Sequence, residues 1–184
     1  GIPYNHDFNG VRQAGVGFYQ LSQRNARRSS AATGYLKPAA GRARGVALTE
    51  SFGSIVAEVI EVDMTSGKPR VTNVWCAADP GFAMNPDGFR NQMEGGIVFG
   101  LTAALYGEIS LKDGAVEQSN FHDYRMLRMD ECPAIAVEII NSDHHKLGGA
   151  GEPGLPPAAP ALANAVFAAS GKRLRALPLA KHFA

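Results

Sequence analysis

Residues 54–78, SIVAEVIEVDMTSGKPRVTNVWCAA, decide the fold. The first part, 54–64, is rich in β-branched residues. Its end alternates, with Ile60, Val62 and Met64 on one side and Glu61 and Asp63 on the other. A period of two is the pattern of a strand with one buried face. Thr65-Ser66-Gly67-Lys68-Pro69 reads as a turn. Residues 70–78 then read as a second strand, paired antiparallel with the first.

Beyond this hairpin, Asn85 or Asp87 is placed to cap a helix running to about residue 106. Phe89, Met93, Ile97, Leu101 and Leu105 recur every four residues and form one apolar stripe. Gly95 and Gly96 lie inside this helix, where two glycines cost about 2 kcal/mol of helix propensity relative to alanine. Close approach of another backbone or of a ligand would offset that cost. Lys112-Asp113-Gly114 signals a hairpin between strands 106–111 and 115–121. Residues 134–140 read as a further strand. Pro156-Pro157 opens a last helix, with Leu162, Val166 and Phe167 toward the core and Gly171 as its stop. The order implies an α+β fold: a mostly antiparallel sheet with two main helices packed on one face.

Residues 1–43 read as an irregular appendage. Glycines at 10, 15 and 17 among aromatics suggest turns or short strands, and 25–32 could be helical. Residues 1–50 carry seven Lys/Arg against two Asp/Glu, whereas the remainder carries eleven against fifteen. The basic residues are scattered, apart from Arg24, Arg27 and Arg28, so a solvated face is favoured over a nucleic-acid surface. No run approaches the ~18 apolar residues of a membrane span, and no signal peptide is visible. The first residue is Gly1, which suggests a cut or processed terminus. Cys76 and Cys132 stand far apart without metal-ligand spacing, as expected of free thiols in a cytoplasmic protein.

The densest chemical signal is Gly148-Gly149-Ala150-Gly151-Glu152-Pro153-Gly154-Leu155-Pro156-Pro157, between a strand and a helix. Small residues let backbone approach a bound group, and they would desolvate Glu152 and strengthen it as a base. The bland alternative is a glutamate in an exposed turn. Gly149, Gly151 and Gly154 match G-x-G-x-x-G, but the dinucleotide reading fails. Pro153 and the proline pair fall where that fingerprint needs a helix, and no strand follows. Gln92, with both donors and acceptors, precedes Gly95 and Gly96 and suits a polar cofactor. Asp143-His144-His145 offers ligand types, but adjacent histidines on a strand end point apart, so no metal site is assigned. No nucleophile elbow occurs.

Five stretches resemble the C-terminal part of the molybdopterin-binding subunit of xanthine-oxidase-type molybdenum hydroxylases. They are GVALTESFGSIVAEVIEV (45–62), DPGFAMNP (79–86), QMEGGIVFGL (92–101), NFHDYRMLR (120–128) and the glycine loop with its helix (148–178). The most similar subgroup is the isoquinoline 1-oxidoreductase β-subunits and related aldehyde dehydrogenases. The resemblance covers about residues 44–179 and implies a molybdopterin cofactor. It implies that Glu152 is the general base in hydroxylation of an N-heterocycle or aldehyde. It also implies that Gln92, Gly95, Gly96, Gly149 and Gly151 border the cofactor. Two cysteines cannot hold an iron–sulfur cluster needing four, so partner subunits carrying the missing segments, or a homo-oligomer, are expected. Neither a membrane nor a nucleic acid is.

Residues 1–43 resemble instead an internal stretch of glucose–methanol–choline flavin oxidoreductases, through Pro3-Tyr4-Asn5, Asp7-Phe8-Asn9-Gly10, Gly17-Phe18-Tyr19-Gln20 and Arg27-Arg28-Ser29-Ser30-Ala31-Ala32 through Tyr35-Leu36-Lys37-Pro38. This implies a chimera joined near 40–44, with domains 1–43 and 44–184. Two alternatives to a molybdenum hydroxylase segment stand: a non-catalytic, self-associating remnant, and a small cofactor-free enzyme such as a hydrolase.

Overall fold

The computed structural model describes residues 23–24, 27–28 and 41–183. The chain divides into two units, Gly1–Lys37 and Pro38–Ala184. In the first, β1 (Gln23–Arg24) and β2 (Arg27–Arg28) pair antiparallel. Arg27 and Arg28 fall in the stretch expected to be helical. That stretch has no apolar stripe to anchor a helix against a core, and short helices without one are marginal. The rest of the expected helix lies outside the described residues.

In the second unit, the hairpin of residues 54–78 forms as β4 (Ser54–Asp63) and β5 (Arg70–Asp79). A bulge at Glu61/Val62 shifts its register. An additional strand precedes it: β3 (Arg42–Ser51) pairs antiparallel with β4 over all ten residues. The sequence reading assigns no strand here. The physical reason is that the core face of β3 carries Ala43, Gly45, Ala47 and Thr49, while the larger Val46 and Leu48 face outward. The sheet order is β3-β4-β5-β8. The last strand, β8 (Ala134–Ile139), runs parallel to β5, so the sheet is mixed with an antiparallel majority.

Helix α1 (Pro86–Leu105) is capped by Asn85, whose side-chain oxygen accepts from the Gly88 N–H at 3.0 Å. All five residues of its apolar stripe are buried. Helix α2 (Ala158–Ser170) follows Pro157 and stops at Gly171, which takes the left-handed conformation at φ 70°. Leu162 and Val166 join the core, but Phe167 does not: it is half-buried, with the Arg173 guanidinium 3.6 Å over its ring. Both helices cover one face of the sheet, where Val56, Ile60, Val62, Val74, Cys76 and Ala78 meet them in a single core.

Gly45 sets the spacing between β3 and α2. A methyl group there would stand 2.2 Å from the Ala161 carbonyl oxygen and the Ala165 nitrogen. On the opposite face of the sheet, Val46, Leu48, Ile55 and Trp75 are exposed. Between α1 and β8 the expected hairpin shrinks to β6 (Leu111–Lys112) and β7 (Ala115–Val116). Asp113 and Gly114, with φ 51° and 80°, make the expected tight turn. The longer strands do not form, since Leu111 and Val116 are exposed and pack on no layer.

Candidate functional site

Three connections meet at one end of the sheet: the β3–β4 turn at Phe52-Gly53, the segment after β5, and the segment after β8. Their backbones are tied directly. Gly148 N donates to Pro80 O at 2.7 Å, Gly149 N to Phe52 O at 2.8 Å, and Asp143 N to Gly81 O at 3.1 Å. Ser54 Oγ donates to Gly149 O at 2.7 Å. Asp79 receives the amides of Gly81 and Ser142. Burial works to raise its pKa, but these hydrogen bonds and nearby Lys146 outweigh it and hold the carboxyl below its ordinary range.

The glycines here serve backbone packing. A methyl on Gly148 would fall 2.3 Å from Ser54 Oγ, and one on Gly149 would fall 2.5 Å from Phe52 Cβ. Within α1, a methyl on Gly96 would press at 3.3 Å on Gly154 and Leu155. Gly96 thus lets the glycine loop lie on the helix, one of the two uses its sequence suggests. Gly95 does not share this role, as it faces open space.

Gln92, one turn before Gly96, is exposed. Its Nε2 would stand 3.7 Å from a methyl on Gly151, so the amide and the loop are neighbours. Glu152 comes next, and its carbonyl accepts from Leu155 N at 2.9 Å, closing a turn. Its side chain is exposed. The desolvation expected for Glu152 is therefore not supplied by the described residues, because small neighbours leave a carboxylate open when no other layer covers them. A cleft of about 630 Å³ opens beside Gln92, walled by Pro80, Phe82, Met84, Phe89 and Ala150. Its size is that of a small-molecule or cofactor site. His144 packs against Phe82 with ring centroids 5.0 Å apart. Among the described residues, no three His, Cys, Asp or Glu side chains converge as a metal site would require.

Two features escaped the sequence reading. Glu58 is fully buried in the core, and burial pushes its pKa up to about 8. Its position in phase with Val56, Ile60 and Val62 was the available signal. On the other face, Glu61 is buried among Arg42, Arg44, Thr72 and Asn73. Burial works to raise the Glu61 pKa, but bonds from Arg44, Asn73 and Thr72 outweigh it and lower the pKa.

A family model described as molybdopterin cofactor-binding domain matches residues 6–133. The chain belongs to this family. The beta subunit of isoquinoline 1-oxidoreductase from Brevundimonas diminuta is 40% identical over 141 residues, which is 76% of this chain and 18% of that protein. A nicotinate dehydrogenase subunit from Pseudomonas putida is 34% identical over 120 residues, or 65% of this chain and 10% of that protein. Quinoline 2-oxidoreductase from Pseudomonas putida 86 shares the fold, with a TM-score of 0.58 at 21% identity over 68% of this chain and 17% of that one. The chain thus spans less than a fifth of each protein named. The family match begins at residue 6 and runs through the junction expected near 40–44, so the glucose–methanol–choline resemblance and the chimera find no support. No helix among the described residues is long and apolar enough to cross a membrane.

Proposed function

We propose that this chain is the segment of a molybdenum hydroxylase that supplies the general base, Glu152, for hydroxylating an N-heterocycle or an aldehyde. The observation that carries this reading is the nearness of the Gln92 amide to Gly151, with room for little more than a methyl group between them, which sets two donors and an acceptor beside the glutamate loop. These residues fit a pterin. The loop offers backbone without side chains, and the adjacent cleft has room for a flat, polar-edged ring. Gln92 would hold the pterin edge, with Gly151 letting it approach, while Gly149 seats the loop against Phe52. Bound there, the cofactor would supply a Lewis-acidic centre and a two-electron acceptor.

Glu152 accepts a proton as the substrate carbon is oxidised. Its exposure leaves it free to face groups supplied by the remainder of a longer protein, which would desolvate it on closure. Relatives named for isoquinoline and nicotinate favour an N-heterocycle as substrate. Electrons leave through partner subunits. The chain alone is incomplete for turnover.

The test is expression, together with its partner subunits, in cells that make the cofactor. Glu152→Gln should keep molybdenum and pterin fluorescence and lose at least ~100-fold in dye reduction with isoquinoline. Gln92→Ala should lower pterin content. Full activity in Glu152→Gln would refute the base assignment. A second reading, a self-associating remnant, is favoured by the exposed outer sheet face at Val46, Leu48, Ile55 and Trp75. A cofactor-free dimer by light scattering would support it.

A further inference from the structure

Glu58 plays no part in that reading, yet its placement is costly. It sits on β4 with its side chain in the core, and neither carboxyl oxygen has a hydrogen-bond partner among the described residues. Residues paired directly across strands share a face. Ala47 is opposite Glu58, and Thr49 and Ser51 follow on that same face of β3. The hydroxyls of Thr49 and Ser51 are also buried without a partner. Ser54, opposite Ser51, gives its hydroxyl to the Gly149 carbonyl. A line of polar groups thus crosses an otherwise apolar face. It starts at Glu58, passes Thr49, Ser51 and Ser54, and ends on the glycine loop.

Buried polar groups are almost always satisfied, by protein or by water. These four oxygens lie without partners along one face of the β3–β4 pair, and buried groups of this kind are the ones ordered water satisfies. We infer that Glu58, Thr49 and Ser51 form a buried water site, and that Glu58 acts through it as a positioning residue for the glycine loop.

A neutral carboxyl suits this site, since it donates one hydrogen bond and accepts others. Nothing nearby favours its ionised form. Cys76, opposite on β5, is the one ionisable group facing it from the sheet, and burial, aided by Glu58, pushes that thiol up to about 12. β3 and β8 turn no ionisable residue toward this face, only Ala43, Gly45, Ala47, Thr49, Ser51, Ile135, Val137 and Ile139, and the buried sides of α1 and α2 carry none either. Burial pushes Glu58 itself up to about 8. Raising the pH past that value ionises the carboxyl, removes its donor and breaks the line toward Ser54.

The experiment follows amide hydrogen exchange at Gly148 and Gly149 in the full chain at pH 6.5 and pH 9, corrected for intrinsic rates. The infrared stretch of a buried protonated carboxyl is followed alongside. Wild type should show that stretch at pH 6.5 and lose it at pH 9, with protection of both glycines falling about tenfold, the equivalent of one pKa unit of coupling. Glu58→Gln, near-isosteric and permanently neutral, should keep its protection at both pH values. Glu58→Leu should reduce protection at both. Equal protection of wild type at the two pH values, or unchanged protection in Glu58→Leu, would overturn the inference. Neither measurement needs cofactor or turnover, so failure here is distinguishable from failure of the Glu152 assignment.

Discussion

Two glycines of this chain, Gly45 and Gly95, should respond in opposite ways to the same added methyl. At Gly45 it would meet two backbone atoms of α2 at 2.2 Å, and backbone cannot swing aside. Gly45→Ala should lose about 1–3 kcal/mol in urea denaturation, the cost of overpacking. At Gly95, inside α1 and facing open space, alanine should gain up to about 1 kcal/mol from helix propensity. Stability lost in Gly95→Ala would show that the helix is under constraint there. The sequence presents Gly95 and Gly96 as one pair with one purpose. Successive helix residues point about 100° apart, so only Gly96 meets the loop. Likewise Glu152 stands out in the sequence by its small neighbours, but its exposure depends on what lies over the loop, which local sequence does not encode.

Among the elements, those with their own start and stop signals were legible. Asn85 ahead of a four-residue apolar stripe marks α1, and Gly171 ends α2. Asn85→Ala should cost about 1 kcal/mol, read from the thermal midpoint, because the Gly88 amide loses its acceptor. An unchanged midpoint would mean that water replaces the cap fully. β3 was illegible for a packing reason: its core face is built from small residues to admit α2, so the larger side chains point the wrong way for a half-buried strand. The direction of β8 was also hidden. The alternation of residues 134–139 reads the same whether the neighbouring strand is parallel or antiparallel, and only the return of the chain through α1 decides it.

Over the whole molecule, two sets of carboxyls pull stability in opposite directions as pH changes. Asp123 is held at about 2 by the amides of Asn120 and Ser119. In Glu61, Asp79 and Glu131 burial works upward, but hydrogen bonds and cations leave each pKa lowered. Lowered groups contribute stability above their unfolded pKa and lose it as pH falls through the folded value. Glu58 is raised from 4.5 to about 8, so its contribution is complete below 4.5 and disappears as pH rises toward 8. The urea midpoint should therefore peak at about pH 5 and decline on both sides. Glu58→Gln should flatten only the alkaline side. A wild-type midpoint still climbing between pH 5 and 8 would contradict the buried acid. The α+β architecture was readable from the alternation of residues 54–78, whereas this balance of charges depends on contacts between residues distant in the chain.

The parallel pairing of β5 with β8 also bears on how such a chain can change over generations. Both strands point the same way, so the polypeptide must travel back along the whole sheet between them, and the excursion from Gly107 to Pro133 has no strand of the main sheet to keep in step. Residues can be added to or removed from that excursion while the ends of β5 and β8, and everything suspended from them, stay where they are. Divergence in length among kindred proteins should accumulate there, and the glycine-rich rim should keep its spacing.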